Sequence, residues 1–448
     1  MNALPQLPRS ICSGVEWPAL PDDSSAQMLA LQYQFEQSQW WSPERLQDLQ
    51  LQQFAQVFQH AVTTVPYYRE RFASWAAGIT SWEQYRALPL SARRDIQQAG
   101  ADMHSTAPPP GHGALVTTQS SGSTGNPLVT RGTAWTQLLW HALLLRDHLW
   151  HGRDFSGKLA AIRSKTEGLS APSWGPATAA FHTGPSVIRN LTVDLDEQLH
   201  WLVREAPDYV LAHATHIQAL AARSIELGIT LPGVKEARTY GEMLRAEARD
   251  IVRRAWGVKI VDSYSSEELG YMALQCPASE NYHVQSESLI VEVLDESGAP
   301  CAPGVIGQVV VTTLQNFAMP LIRYASGDFA ELAESCLCGR GLPALRRIVG
   351  RQRNMLVRPD GVRYWPSFPA QAWADIAPVL QVQLVQDAVD HIEVRAVMAR
   401  DFAGDEGQRL IAAFQACLDY PFRITLRRVD AIAVGAGGKY EDFVSLLS

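Results

Sequence analysis

Between Lys235 and Val261 the chain spells out a strand, a helix and a second strand, and no other stretch limits the possible folds as sharply. Lys235–Tyr240 is strand-like. Glu242–Trp256 places Met243, Ile251, Val252 and Ala255 at roughly helical spacing, Gly257 suits the residue just past a helix end, and Val258–Val261 reads as strand again. Strands joined through such a helix lie parallel with a right-handed crossover, and ligands collect beyond their carboxyl ends. Those ends are Gly241-Glu242 and Asp262-Ser263-Tyr264, which become site candidates on topology alone.

A similar unit precedes it, with Tyr209–Ala212 as strand, Thr215 as N-cap and Ile217–Leu227 as a helix closed by Gly228. From residue 130 onward helical and strand-like segments alternate, the pattern of an α/β layer architecture. Upstream, Ala26–Phe58 is helical in pattern, Pro66-Tyr67-Tyr68 opens a short segment toward Phe72, and Pro108–Pro110 reads as a surface connector. Past Cys276 the texture turns to β, in Leu289–Leu294 and Ile306–Leu314. The expected class is α/β: a large N-terminal domain, 1–352, with layered sheets and a small β segment, and a small mobile α+β lid domain, 353–448, with one helix at Gly407–Leu418.

The 448 residues include 38 Lys+Arg against 46 Asp+Glu, a formal charge of −8 that argues against nonspecific nucleic-acid binding. No apolar run approaches the roughly 20 residues that cross a bilayer. Met1–Ser10 lacks the basic and apolar regions of a secretory signal, so a cytoplasmic protein without nucleic-acid or membrane partners is expected.

Six cysteines are too sparse for a disulfide framework in this length. Cys276 and His283, then Cys336 and Cys338, supply sulfur and imidazole in a Cys-x₆-His and Cys-x-Cys pattern that suits a closed, structural tetrahedral Zn²⁺ site, with incidental thiols as the competing reading. Cys12, Cys301 and Cys417 read as packing or surface thiols. Ser120-Ser121-Gly122-Ser123-Thr124-Gly125-Asn126-Pro127 follows the apolar Ala114–Val116, and its glycines and hydroxyls suit a polyphosphate. It is not a Walker A loop, because no Gly-Lys-Ser/Thr follows.

This run resembles the phosphate loop of the adenylate-forming superfamily, which includes acyl-CoA synthetases and the adenylation domains of peptide synthetases. From about Pro66 onward the chain is similar to the phenylacetate-CoA ligase branch and its capsule-biosynthesis-associated relatives, five motifs falling in the family's order. The resemblance implies that Ser120, Ser121, Gly122, Ser123, Thr124 and Gly125 bind ATP, together with Gly241 and Glu242 beside the nucleobase. In Asp262-Ser263-Tyr264-Ser265-Ser266-Glu267-Glu268 it implies Tyr264 against adenine and Glu268 on Mg²⁺, with Glu267 a competing metal ligand. In Arg323-Tyr324-Ala325-Ser326-Gly327-Asp328 it implies that Asp328 accepts from both ribose hydroxyls. Arg351 would contact ribose or phosphate, Asn354 would be the hinge, and Lys439, on the Gly435-Ala436-Gly437-Gly438 loop, would be the catalytic lysine.

His213-Ala214-Thr215-His216 reads as a strand end and helix cap near the acid pocket, where His213 contacts substrate, with a metal or acid/base pair of His213 and His216 as the disfavoured alternative, and Trp174-Gly175-Pro176 and the Gly184 region line the acyl pocket or serve as core or loop. Asn126, Ser265, Glu267, Arg353 and Asn354 depart from the pattern. The implied reaction is ATP- and Mg²⁺-dependent activation of a small carboxylic acid, aromatic or arylacetic by default, to an acyl-AMP. CoA is the implied acceptor, with an amine or a carrier-protein thiol as alternatives. A nucleotide-binding scaffold without catalysis is the rival from another class.

Overall fold

The computed structural model describes residues 7–75, 77–119, 128–164, 168–351, 354–366, 368, 373, 375–418, 420–432 and 441–447. It divides into two compact units, Met1–Ser326 with Ala330–Ile348, and Gly327–Phe329 with Val349–Ser448.

The first unit begins with two helices where one helical stretch was expected. Asp23–Ser38 ends before Ser42-Pro43, and Pro43–Thr64 starts anew with the Ser42 hydroxyl accepting from the Arg45 N–H. Proline lacks the N–H needed to extend the preceding helix but fits the first turn of the next. The second helix buries Phe54, Val57, Phe58 and Ala61 in the largest core cluster.

Five parallel strands form the part of the main sheet that matters for function. Leu159–Arg163 pairs with Ser186–Asn190 on one side and Tyr209–Ala212 on the other, and Glu236–Tyr240 and Lys259–Ser266 follow in order. Gly270–Gln275 then returns antiparallel and leads through Tyr282–Val284 to the β-rich remainder. The direction of winding reverses at Leu159–Arg163, the kind of position beyond whose carboxyl end ligands bind in open α/β sheets. Both expected crossover units are present. Their helices, Ala214–Leu227 and Ala246–Trp256, pack on Leu220, Ala221, Ala248 and Val252 in one cluster with the strands.

Two boundaries moved, for one reason. The second helix starts at Ala246 and not at Glu242, because the Glu242 carboxylate accepts from the N–H (3.0 Å) and hydroxyl (2.7 Å) of Thr215 and so caps the neighbouring helix. Thr215 is accordingly inside the first turn, with His213 at the N-cap.

Beneath the sheet lies a buried charge network. Arg153 donates to Asp147 and to Glu236, each at 2.6 Å, and Arg238 donates to Asp147 at 3.0 Å. It ties the helix Ala134–Trp150 to the strand Glu236–Tyr240. No helix among the described residues is long and apolar enough to cross a membrane.

The second unit is α+β, with strand order Arg423–Arg428, His391–Met398, Val379–Ala388 and Phe443–Ser445. Its helix Glu406–Leu418 buries Leu410, Phe414 and Leu418, one turn-face of an amphipathic pattern.

Candidate active site

At the carboxyl ends of the parallel strands the predicted residues converge in part. The strand Glu236–Tyr240 ends in Gly241 at φ 72°, a left-handed turn that suits glycine, and Glu242 turns aside to its capping role. His213 is buried at the end of the adjacent strand, its Nδ1 3.1 Å from the Tyr240 carbonyl and its ring 4.8 Å from the Tyr240 ring. His216 faces Gln198 instead, at 2.6 Å, and burial pushes its pKa down to about 4.

On the next strand Asp262 and Tyr264 point into the interior, and Ser263 and Ser265 keep partial exposure. The Tyr264 ring is 8% exposed in the main hydrophobic cluster with Leu269 and Met272. Asp262 is buried and accepts from the Thr239 hydroxyl at 2.6 Å and the Tyr282 hydroxyl at 2.9 Å, a clasp across three strands. Burial pushes its carboxyl from the ordinary 3.8 up to about 6, the bonds from Thr239 and Tyr282 offsetting only part.

The folded state therefore holds a proton that the unfolded chain releases between about pH 4 and 6, so stability falls as pH rises through that window, by up to about 3 kcal/mol. Urea midpoints of the wild type and Asp262→Asn, compared at about pH 4.5 and 7.5, are expected to show the wild type losing ground to the variant at the higher pH. A pH-independent difference would refute this role for Asp262.

Glu267-Glu268-Leu269 forms the tight turn of the hairpin between Lys259–Ser266 and Gly270–Gln275. The turn separates the two candidate metal ligands. Glu268, 9% exposed, pairs with Arg93 at 3.2 Å, whereas Glu267 lies close enough to Tyr240 to help raise its phenol pKa, burial being the larger cause.

Both glutamates line a cavity of about 260 Å³ with Thr118, Thr130 and Arg131, with Gln137, Trp140 and His141 of the helix Ala134–Trp150, and with Tyr271. Thr118 and Thr130 belong to the antiparallel hairpin Leu115–Gln119 and Val129–Thr133, their hydroxyls 2.8 Å apart. That hairpin carries the run Ser120–Pro127, which itself lies outside the described residues. Its anchors thus share a cavity with Glu268.

Arg93 was missed because its partner is 175 positions away and nothing local marks it. Gly270 closes the turn beside the Trp140 ring that lines the cavity, and its φ of 77°, a left-handed conformation, is what calls for glycine there.

Within the second unit the Asp328 carboxylate lies 3.4 Å from Arg351 Nε, next to Gly327 at φ 81°. The Asn354 amide donates to the Phe443 carbonyl at 2.7 Å. Gln352, Arg353 and Gly435–Lys439 lie outside the described residues. Arg323, by contrast, is structural: it pairs with Glu292 at 3.0 Å and donates to the Leu88 carbonyl at 2.6 Å. Trp174 is also a packing residue, its indole N–H on the Gly157 carbonyl and its ring against His148, Phe155 and Tyr209. Gly184 allows the chain to pass Gly157, since a Cβ there would stand 2.4 Å from that carbonyl.

A second site is separate from this cavity. Cys276, His283, Cys336 and Cys338 bring their ligand atoms within 4.8 Å of one another. His283 Nε2 lies 3.2 Å from Cys338 Sγ while its Nδ1 faces the Leu342 carbonyl at 3.3 Å, which aims the other nitrogen into the cluster. Leu337, between the two closely spaced cysteines, is 99% exposed, so the backbone loops outward and both thiols turn in. Three sulfurs and one imidazole fit zinc by donor type and number.

No protein-family model matches the chain. The phenylacetate-coenzyme A ligase of Pseudomonas putida is 24% identical over 388 residues, covering 82% of this chain and 85% of the relative. That of Escherichia coli (strain K12) is 25% identical over 342 residues, covering 73% and 75%. Among solved structures, a 2-hydroxyisobutyryl-CoA ligase in the postadenylation state, in complex with R3-HIB-AMP, superposes with a TM-score of 0.70 at 18% identity, covering 88% of each chain. Sequence relatives and fold agree: over most of its length the chain is similar to phenylacetate-coenzyme A ligases, and it has the fold of an adenylate-forming ligase.

Proposed function

We propose that this protein is an acid-thiol ligase that activates a carboxylic acid with ATP to an acyl-AMP and transfers the acyl group to the thiol of CoA. One observation carries the reading: the anchors of the Ser120–Gly125 run and the Glu268 carboxylate share one cavity at the carboxyl ends of a parallel sheet. The relatives add support, since solved neighbours hold an acyl-AMP, and one holds 2-HIB-AMP and CoA in the thioesterification state, with a TM-score of 0.60.

In the first step a carboxylate oxygen bonds to the α-phosphorus of ATP, the bond to the bridging oxygen breaks, and pyrophosphate leaves. The backbone N–H groups of Ser120–Gly125 hold the phosphates, Lys439 places a positive charge at the reacting centre, and Gly241, Ser263 and Tyr264 with Asp262 behind them form the nucleobase side, Glu242 fixing that edge through its bonds to Thr215. Glu268 would hold Mg²⁺, which offsets repulsion between the carboxylate and the phosphates. Asp328 accepts from the ribose hydroxyls beside Arg351, and His213 contacts the acid. In the second step the CoA sulfur attacks the acyl carbon and AMP leaves, after the C-terminal unit turns about Asn354.

The test is acid-dependent pyrophosphate release with ATP and Mg²⁺ over aromatic, arylacetic, aliphatic and amino acids, each with and without CoA. Release that needs one acid and rises with CoA is expected. Release indifferent to CoA assigns an amine or carrier-protein acceptor, and ATP binding without release from any acid leaves a nucleotide-binding scaffold.

The four-residue cluster completes the proposal as a structural zinc site. Protein purified without a metal-affinity tag should contain about one zinc per chain, and Cys338→Ser should lower both zinc content and melting temperature. Well-folded wild type without zinc would remove this site.

A further inference from the structure

A cation stands at the carboxyl end of the strand where the winding of the sheet reverses. Arg163 is the last residue of Leu159–Arg163, the strand flanked in parallel by Ser186–Asn190 and Tyr209–Ala212. Its guanidinium carbon stands 5.8 Å from the centroid of the Tyr240 ring, and Tyr240 in turn lies against His213. Arg163, Tyr240 and His213 thus run across the ends of three adjacent strands.

The other arginines around this sheet are tied down: Arg146 by Glu287, Arg153 by Asp147 and Glu236, Arg238 by Asp147. Arg163 is exposed, and no carboxylate among the described residues pairs with it. Of the acids nearby, Glu242 is engaged by Thr215 and Glu267 sits beside Tyr240. Burial raises the phenols of Tyr240 and Tyr271, and Arg163 opposes that rise at both, so its charge reaches both rings.

We propose that Arg163 is a specificity-determining residue, and that the acid activated here carries a second anionic group, a carboxylate in the simplest case, which the guanidinium binds. The inference rests on the ligase reading above and narrows its substrate class. A guanidinium presents a planar fork that matches a carboxylate in two parallel hydrogen bonds, a match that an acid ending in a methyl group cannot make.

The test measures pyrophosphate release by the full chain on size-matched pairs of acids, aromatic and aliphatic, one member ending in a second carboxylate and the other in a methyl group. Wild type should prefer the diacid in kcat/KM. Arg163→Gln should lower the diacid-to-monoacid ratio about 10–100-fold, chiefly through KM for the acid, and Arg163→Lys should restore part of it. Wild-type preference for the monoacids, or a Gln variant whose defect lies in KM for ATP whichever acid is used, overturns the role of Arg163 and leaves the ligase reading standing. Absence of release with every acid overturns both.

Discussion

Lys439→Ala should lower acid-dependent pyrophosphate release by about 10²–10³-fold, the usual effect of removing one group that meets developing charge in a transition state. The reason is specific to the first step. When the carboxylate approaches the α-phosphorus two anionic centres are forced together, and a lysine on a glycine-rich loop can place its ammonium between them without a large cost in backbone strain. In the proposed phosphate-binding run Asn126 stands where many members of the resembled family carry lysine, which raises the demand on that charge. Thioester formation from supplied acyl-AMP builds no new charge on phosphorus, so the same variant should retain far more of the second half-reaction. Equal loss in both halves would point to a folding defect, and unchanged pyrophosphate release would end the proposed role of Lys439.

The second large effect concerns stability. Arg153→Ala should destabilise the first unit by about 3–5 kcal/mol, read as a shift of the urea midpoint, because it leaves carboxylates buried without their partner. Asp147 and Glu236 are 3% and 5% exposed, and Arg153 bonds to both. Burial alone would raise the Asp147 carboxyl, but Arg153 and Arg238 outweigh it and hold the group well below the usual carboxylate range. With the folded pKa depressed, this contribution is present above about pH 4 and is lost as pH falls toward the folded value. The wild type and Arg153→Ala should therefore converge in stability in acid. A loss under 1 kcal/mol at neutral pH, about the worth of an exposed pair, would show that the network is not holding helix to sheet.

Much of the architecture was legible because it is written in local periodicity. The strand-helix-strand unit from Lys235 to Val261 and the helix near Gly407–Leu418 came through with only their ends displaced. Glu242 shows why ends are displaced: a glutamate ahead of a helical pattern looks like that helix's first turn, and only the packing of two crossover units brings it over Thr215. Glu267 and Glu268 were seen as rivals for one metal. The tight turn that holds them sends one toward Tyr240 and the other to Arg93, a choice made by a hairpin and by a residue on a distant helix.

Residue type and order along the chain were enough to specify the α/β class and the family resemblance and to nominate a site at the carboxyl ends of the strands, because period, glycine placement and donor chemistry are local properties. Tertiary structure alone decided which side chains meet: Arg93 with Glu268, Arg163 beside Tyr240 at the reversal of the sheet, and two pairs of zinc-type ligands in one cluster. Such meetings depend on strand order and on which face each residue is dealt, and both are set by how the hydrophobic faces pack across the whole chain.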